Sequence, residues 1–348
     1  MISTAALLTS TPLLANFVLA SFVEPFCYRN QSTSTNKPTS QRDSDVRSNK
    51  RPLYDKTALL VGVQISNIDL MDAGFNEELR VQLRHDLYKH QLLLFRDQLN
   101  LTSARMAEIA GWFGQITTSA KESKHPNSPQ REVQVISNDV VSGYRLAHID
   151  WHVDGNEHGP TVYAMTMRMQ RFPHYPTATS FVNLYDATLA LPHATKSRWT
   201  DYWLQYGDAF QPLLYRHPVT KKETLFFYMM HDAKQLVSRP NTTTEVRHTH
   251  TELQQFYAEL RAWLSRNDSA FVYQHQWMPG DLLIFDNLSI AHRPPDNCKA
   301  PPEEIGSRVI ERILIEGPIE PFELRPCVMQ RWNSDLFLRG NFQSLNRS

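Results

Sequence analysis

His152 and Asp154 stand two residues apart in Trp151-His152-Val153-Asp154, and on a strand that spacing sends both side chains off one face. A neutral imidazole and a carboxylate aimed at one point are two members of the facial triad that holds non-haem Fe(II) and leaves three positions open. His-x-Asp on its own also arises on surfaces and in cores, so the pair needs company. A third ligand has to come from a distant strand. Gly280-Asp-Leu-Leu-Ile-Phe-Asp286-Asn287-Leu-Ser-Ile-Ala-His292 offers one, with a buried strand entered by a Pro279-Gly280 turn and His292 just past the Asp286-Asn287 corner. Downstream, Arg308-Val-Ile-Glu-Arg312 opens the strand-like RVIERILIE. Residues 308, 310 and 312 share a face, so two guanidinium groups can enter an otherwise apolar interior. Arg is suited to bidentate carboxylate binding there, although structural ion pairs with Asp or Glu are the competing use.

Elements able to carry these residues follow from the apolar pattern. ALLVGVQISNIDL (58–70) reads as a strand, Asn76–Lys89 as a helix with Leu79, Leu83 and Leu87 on one stripe, QLLLFRDQ (91–98) as a buried strand, and 102–113 as a second helix. From Glu132 the pattern changes to short strands parted by Pro, Gly and Asn, interrupted by one helix over Glu252–Leu264. Many strands with few helices predict a mainly β fold, a double-sheet jelly roll of the double-stranded β-helix, cupin-like kind, with helices packed outside.

Of the 348 residues, 36 are Lys or Arg and 36 Asp or Glu, so the formal net charge is zero and nothing marks a nucleic-acid partner. Three cysteines (Cys27, Cys298, Cys327) make neither a disulfide framework nor a zinc knuckle and favour a reducing, cytoplasmic setting. Residues 4–24 pull the other way: they are apolar with only Glu24 charged, as in a signal peptide or membrane anchor, but lack a basic start and contain Pro12. Localisation is therefore open, and membrane contact is expected only if this leader is retained. The expected organisation is a leader and polar linker over 1–50, a single domain over 51–330 and a tail over 331–348. The partner expected is a small acidic molecule; self-association into a homo-oligomer is left open.

Seven segments, in order, resemble the TauD/TfdA family of dioxygenases over roughly residues 57–320: GVQISNIDL, HQLLLFRDQ followed by Phe113-Gly114, WHVD, Thr179-Ser-Phe181-Val-Asn183, His217-Pro218-x-Thr…Leu225-Phe226, FVYQHQWMPGDLLIFDNLSIAH, and Arg308-x-x-x-Arg312. The resemblance implies an Fe(II)- and 2-oxoglutarate-dependent dioxygenase that couples decarboxylation of 2-oxoglutarate to succinate, using O2, with hydroxylation of a C–H bond. His152, Asp154 and His292 would ligate iron. Thr179 and Arg308 would hold the distal carboxylate of 2-oxoglutarate, and Arg312 would lie near both the cosubstrate and an acidic group of the prime substrate. At about 13 Å from Arg308 along the strand, Arg312 is not easily neutralised by the same dianion, which makes a substrate acid its expected partner.

The chain departs from the family pattern in places. Pro176-Thr177-Ala178 stands where the family has Gly-Gly-Asp, Asn287-Leu288 stands where Asn-Arg is frequent, and a Pro-rich insertion separates His292 from Arg308 and leaves Arg293 as the rival cosubstrate ligand. Asp154, present where related halogenases have Ala or Gly, favours hydroxylation. His148 shares strand parity with His152 and is a candidate substrate contact, with a loop position as the alternative. His125 is either a substrate contact or a bystander. His248-Thr-His250 reads as a solvated loop, and Trp199, Tyr202 and Trp203 as core, with a substrate wall as the second reading. A catalytically silent ligand-binding jelly roll and a zinc hydrolase on the same triad are the alternative functions; two inward arginines favour a dicarboxylate cosubstrate over the latter.

Overall fold

Runs such as Leu92-Leu-Leu-Phe95 and Leu282-Leu-Ile-Phe285 are apolar at every position because both of their faces are covered. The computed structural model describes residues 53–74, 76–117, 125–145, 150–155, 162–228, 233–266 and 271–318. The elements in chain order are β1 (Asp55–Ala58), β2 (Val63–Ser66), α1 (Glu77–His90), β3 (Leu92–Phe95), α2 (Ser103–Ala110), β4 (Gly114–Ile116), β5 (Gln134–Ser137), β6 (Tyr144–Arg145), β7 (Val162–Arg171), β8 (Ala178–Asn183), α3 (Leu184–Leu189) and α4 (His193–Thr200). They continue with β9 (Tyr202–Tyr206), β10 (Ala209–Pro212), β11 (Leu214–Arg216), β12 (Glu223–Leu225), β13 (Gln235–Ser238), β14 (Val246–Arg247), α5 (His250–Leu264), β15 (Val272–Gln276), β16 (Leu282–Asp286), β17 (Ile290–Arg293), α6 (Pro302–Ile305) and β18 (Val309–Pro318).

The larger sheet runs β1-β2-β3-β16-β7-β18-β5-β6, with β4 also paired to β18, and the smaller runs β15-β8-β17. An isolated antiparallel bridge joins His152 to His292 and so adds the Trp-His-Val-Asp segment to the smaller sheet. Side-chain alternation then sorts the core into two layers. Leu92, Leu94, Met165, Met167, Leu283, Phe285, Ile310 and Leu314 meet Phe181 and Ile290 between the sheets. Leu93, Phe95, Ala164, Leu282, Ile284, Ile313 and Ile315 take the opposite face, beneath Leu79, Leu83 and Leu87 of α1 and Met106 and Ile109 of α2. This is the jelly roll with outer helices that the pattern predicts. Arg312 shares parity with Ile310 and Leu314, which puts it on the inner layer.

Helix ends follow capping chemistry. Asn76 caps α1 by accepting from Leu79 N–H, and Thr249 and Glu252 form a reciprocal capping box at the start of α5. One expectation needs correction. The run 58–70 is not one strand: β1 and β2 form an antiparallel hairpin whose connection includes Gly62 at φ +87°, where a Cβ would meet the Leu92 carbonyl. The aromatic cluster at 199–203 packs as core, with Trp199 and Tyr202 both meeting the Phe256 ring of α5 edge-on at 5.7 Å. Trp199 ends in the core at the close of α4, while Tyr202 and Trp203 begin β9 in a separate four-stranded sheet ordered β10-β9-β13-β14. The leader, the linker, the C-terminal tail and His148 lie outside the described residues. Among the described residues no helix is long and apolar enough to cross a membrane.

Candidate active site

The His152 segment is fastened from both sides. Its backbone N–H donates to the His292 carbonyl at 3.0 Å, and the reverse bond is 2.9 Å. Trp151 Nε1 donates to Ser265 Oγ at 2.9 Å just past α5, and Arg261 of α5 pairs with Asp150 at 2.6 Å. After Asp154 the chain turns at Gly155, φ +140°, where a Cβ would strike the Tyr228 ring. Asn287, from the corner after β16, accepts from Asp154 N–H at 3.0 Å and donates to the Asp154 and Val162 carbonyls at 2.8 and 2.9 Å. The corner is itself braced by Asp286, which accepts from Ser289 Oγ at 2.7 Å and lies 3.0 Å from His217 Nε2. Both His217 and Asp286 are buried, so the His-Pro loop acts on the site as scaffolding.

This framework brings His152, Asp154 and His292 together, with one ligand-type atom of each within 4.8 Å of the others and all three residues buried. His152 Nδ1 lies 2.8 Å from the Asp150 carbonyl, which can only accept; Nδ1 therefore carries the proton and Nε2 the lone pair. Burial, reinforced by His152 and Arg312, lowers the His292 pKa to about 3, so this imidazole is neutral at pH 7. Its Nε2 sits 3.3 Å from Asp154 Oδ2, but with a neutral ring that approach is two donor atoms facing a common point and not an ion pair. Burial by itself would raise the Asp154 carboxyl; Arg312, His292 and His152 outweigh it and hold the group below its ordinary value, as a carboxylate. Asp154 Oδ2 is buried with no hydrogen-bond partner among the described residues. Two neutral imidazoles and an ionised carboxylate with an orphaned oxygen fit a divalent transition metal.

Next to the cluster a pocket is lined by Thr179, Arg308, Arg312, Ile136, Met167, Ile310 and Pro294 together with the two histidines. Arg308 is 2 % exposed, its Nε has no partner, and no carboxylate pairs with it among the described residues. Burial lowers its pKa to about 10. Arg293 points elsewhere, pairing with Asp296 at 3.2 Å and lying over the Trp151 ring, so of these two rivals it is Arg308 that faces the pocket. Arg312 corrects the expectation that it lacks an anion in the protein. Its Nη1 binds Asp154 Oδ1 at 2.8 Å, and its Nε donates to Gln134 Oε1 at 2.8 Å. Strand parity reveals that an arginine enters the core but not what stands opposite it.

Several participants escaped the reading of the sequence. Gln134 opens β5 and Asn138 follows it; Gln134 shares the parity of pocket-lining Ile136, and a polar residue at an apolar parity is a usable signal. Asn138 accepts from Arg308 N–H at 2.8 Å and donates to the Ala300 and Gly306 carbonyls, both at 3.0 Å, which ties down the insertion before Arg308. His125 is outside the pocket, with its Nε2 3.3 Å from the Val140 carbonyl. His248 contacts Ser238 Oγ at 2.8 Å beside β13, and His250 opens α5; neither joins the metal-ligand cluster.

The family model of the taurine catabolism dioxygenase TauD, TfdA family matches residues 51–312. The chain belongs to this family. It is accordingly an Fe(II)- and 2-oxoglutarate-dependent dioxygenase, with Fe(II), 2-oxoglutarate and O2 as its cofactor and cosubstrates. Solved structures share the fold. A Burkholderia xenovorans protein described as an alpha-ketoglutarate-dependent taurine dioxygenase is 21% identical, with a TM-score of 0.61 over 77% of this chain and 92% of its own. A taurine dioxygenase from the same organism is 20% identical, with a TM-score of 0.60 over 78% and 92%. AAD-2, in complex with Mn(II) and N-oxalylglycine, is 18% identical, with a TM-score of 0.59 over 77% and 99%.

Proposed function

We propose that this dioxygenase hydroxylates a small organic acid, with His152, Asp154 and His292 holding the iron and Thr179 and Arg308 holding the distal carboxylate of 2-oxoglutarate. The observation that carries the reading is Arg308, a guanidinium buried beside the metal-ligand cluster with no anion of its own among the described residues. An unpaired buried cation is costly, and a carboxylate that arrives with the cosubstrate relieves it. Bound Fe(II) supplies the activation of O2 and the oxidation of a C–H bond. The protein fixes the His152 tautomer, keeps Asp154 ionised, lines the pocket with Met167, Ile136 and Ile310 to exclude water, and orients the two acids.

A substrate acid follows from charge. A divalent iron, the 2-oxoglutarate dianion, Asp154, Arg308 and Arg312 together leave one positive charge among the described pocket residues. Bound iron would take up the charge of Asp154, and Arg312, held by Gln134 at Nε and by Asp154 at Nη1, would then offer its Nη2 amino group to a carboxylate, sulfonate or sulfate. The test is anaerobic addition of 2-oxoglutarate to the Fe(II) protein, which should give a weak visible charge-transfer band, followed by succinate release across paired acids and neutral amides. Succinate formation favouring the amides would overturn the substrate class, and absence of the band with a full complement of iron would overturn the cosubstrate site.

A further inference from the structure

The turn into Thr179 reads Pro176-Thr177-Ala178, without the glycines and aspartate of the family pattern, and Trp277 grips this turn twice. Its backbone N–H donates to the Thr177 carbonyl at 3.1 Å, and its indole Nε1 donates to Thr179 Oγ1 at 2.9 Å. Trp277 and Thr179 are both buried, at 6% and 2% exposure. The indole is itself wedged. His275 meets it edge-on at 4.7 Å, Tyr273 Oη lies 3.1 Å from His275 Nδ1, and Asp281, paired with Arg96 at 2.6 Å, lies 3.2 Å from His275 Nε2.

A threonine hydroxyl has one proton and two lone pairs, whereas an indole N–H can only donate. Thr179 Oγ1 therefore accepts from Trp277, and its own proton must leave in another direction. No acceptor for that proton exists among the described residues, and Thr179 lines the same pocket as Arg308. A carboxylate only accepts, so a threonine that presented a lone pair there would repel it. We propose that Trp277 is a positioning residue for cosubstrate binding: by occupying a lone pair of Thr179 it turns the hydroxyl proton toward the distal carboxylate beside Arg308, the orientation that the altered turn would otherwise leave free. This rests on the cosubstrate site proposed above. It also assigns the strand before Asp281 a part in selecting a dicarboxylate.

A double-mutant cycle on the anaerobic Fe(II) protein tests it, with 2-oxoglutarate affinity read from calorimetry and the charge-transfer band. Thr179→Val should raise the dissociation constant roughly 10- to 100-fold, the scale of one hydrogen bond to a charged group, and Trp277→Phe, which only frees the hydroxyl to turn, roughly three- to tenfold, with iron stoichiometry unchanged. In the Thr179→Val background Trp277→Phe should add nothing, because the hydroxyl it orients is gone. Should the phenylalanine variant fail to fold, β-(3-benzothienyl)alanine at 277 keeps the ring and removes only the N–H. Effects that multiply in the double variant, or a Trp277 variant with unchanged affinity beside a weakened Thr179→Val, overturn the proposal. If Thr179→Val and Arg308→Met both bind 2-oxoglutarate normally, the cosubstrate site itself is misassigned.

Discussion

Replacing Arg308 by Met should make the ligand-free protein no less stable while removing its response to 2-oxoglutarate. Burial lowers the guanidinium pKa from 12.5 to about 10. Because the folded value is the lower one, the whole penalty is present at neutral pH, where both folded and unfolded forms are protonated. It is relieved only as pH rises through 10 toward 12.5. That shift corresponds to about 3 kcal/mol, part of which a methionine of similar length recovers by staying neutral among Ile136, Met167 and Ile310. The function lost is a charge-assisted bidentate contact of about 1.5–3 kcal/mol, or roughly 10- to 150-fold in affinity. At a 2-oxoglutarate concentration 100 times the wild-type dissociation constant, ligand stabilisation is about 2.7 kcal/mol. For a domain of this size that raises Tm by roughly 5–10 °C. A 100-fold weaker variant should shift by about 1 °C under the same conditions. Differential scanning of the Mn(II)-loaded proteins with and without 2-oxoglutarate measures both halves. A variant destabilised by several degrees that retains the full ligand shift would show Arg308 to be structural, and the proposed cosubstrate site would fall.

Asp154→Ala and His292→Ala should each abolish binding of about one Fe(II) per chain; metal analysis of anaerobically reconstituted protein with normal stoichiometry in both would refute the ligand set. Arg312→Leu should retain iron yet raise the KM for an acidic substrate and uncouple 2-oxoglutarate turnover from product, read as succinate formed per hydroxylated product; full coupling would mean Arg312 serves only Asp154. Asn287→Ala removes three buried hydrogen bonds around the Asp154 backbone and should cost about 2–4 kcal/mol in denaturant unfolding, with weaker iron binding. Metal-free protein should lose stability as pH falls from 6.5 toward 3, since the unfolded chain protonates His292 where the folded one resists it; a His292→Gln variant with the same slope in pH-dependent denaturation would remove His292 as its source.

The parts of the site legible in the sequence were those set by local geometry. Two-residue spacing placed His152 with Asp154, the strand after Gly280 delivered His292, and parity put Arg308 and Arg312 on the inner layer. The fold class was legible for the same reason, since strands buried on both faces leave unbroken apolar runs. What stayed hidden depends on contacts between distant segments. The run 58–70 masked the hairpin, because its first arm, Asp55-Lys-Thr-Ala58, is polar and exposed and carries no strand pattern, and only Gly62 marks the turn. The sheet begun by Tyr202 and Trp203 was obscured by aromatics that suit a core equally well. The partners of Arg312 come from two separate segments, one on β5 and one after the bridge, so no spacing rule could join them. The same holds for Trp277 and Thr179, which the β8–β15 pairing brings within reach of one another.

The backbone pair between His152 and His292 has a consequence for how the metal is acquired. These residues lie about 140 positions apart, and closing a loop of that length costs on the order of 5 kcal/mol of chain entropy. The two backbone hydrogen bonds, at about 0.5–1.5 kcal/mol each, offset part of that cost, and the packing of both sheets supplies the rest without calling on a metal–ligand bond. The ion should therefore enter as a guest in a finished receptor and not as the rivet that assembles it, the reverse of a zinc finger, whose chain collapses when chelated. Stripping with a chelator should leave the far-ultraviolet circular dichroism intact, and the metal held at any moment should then follow supply and exchange, with Mn(II) or Co(II) able to enter without refolding.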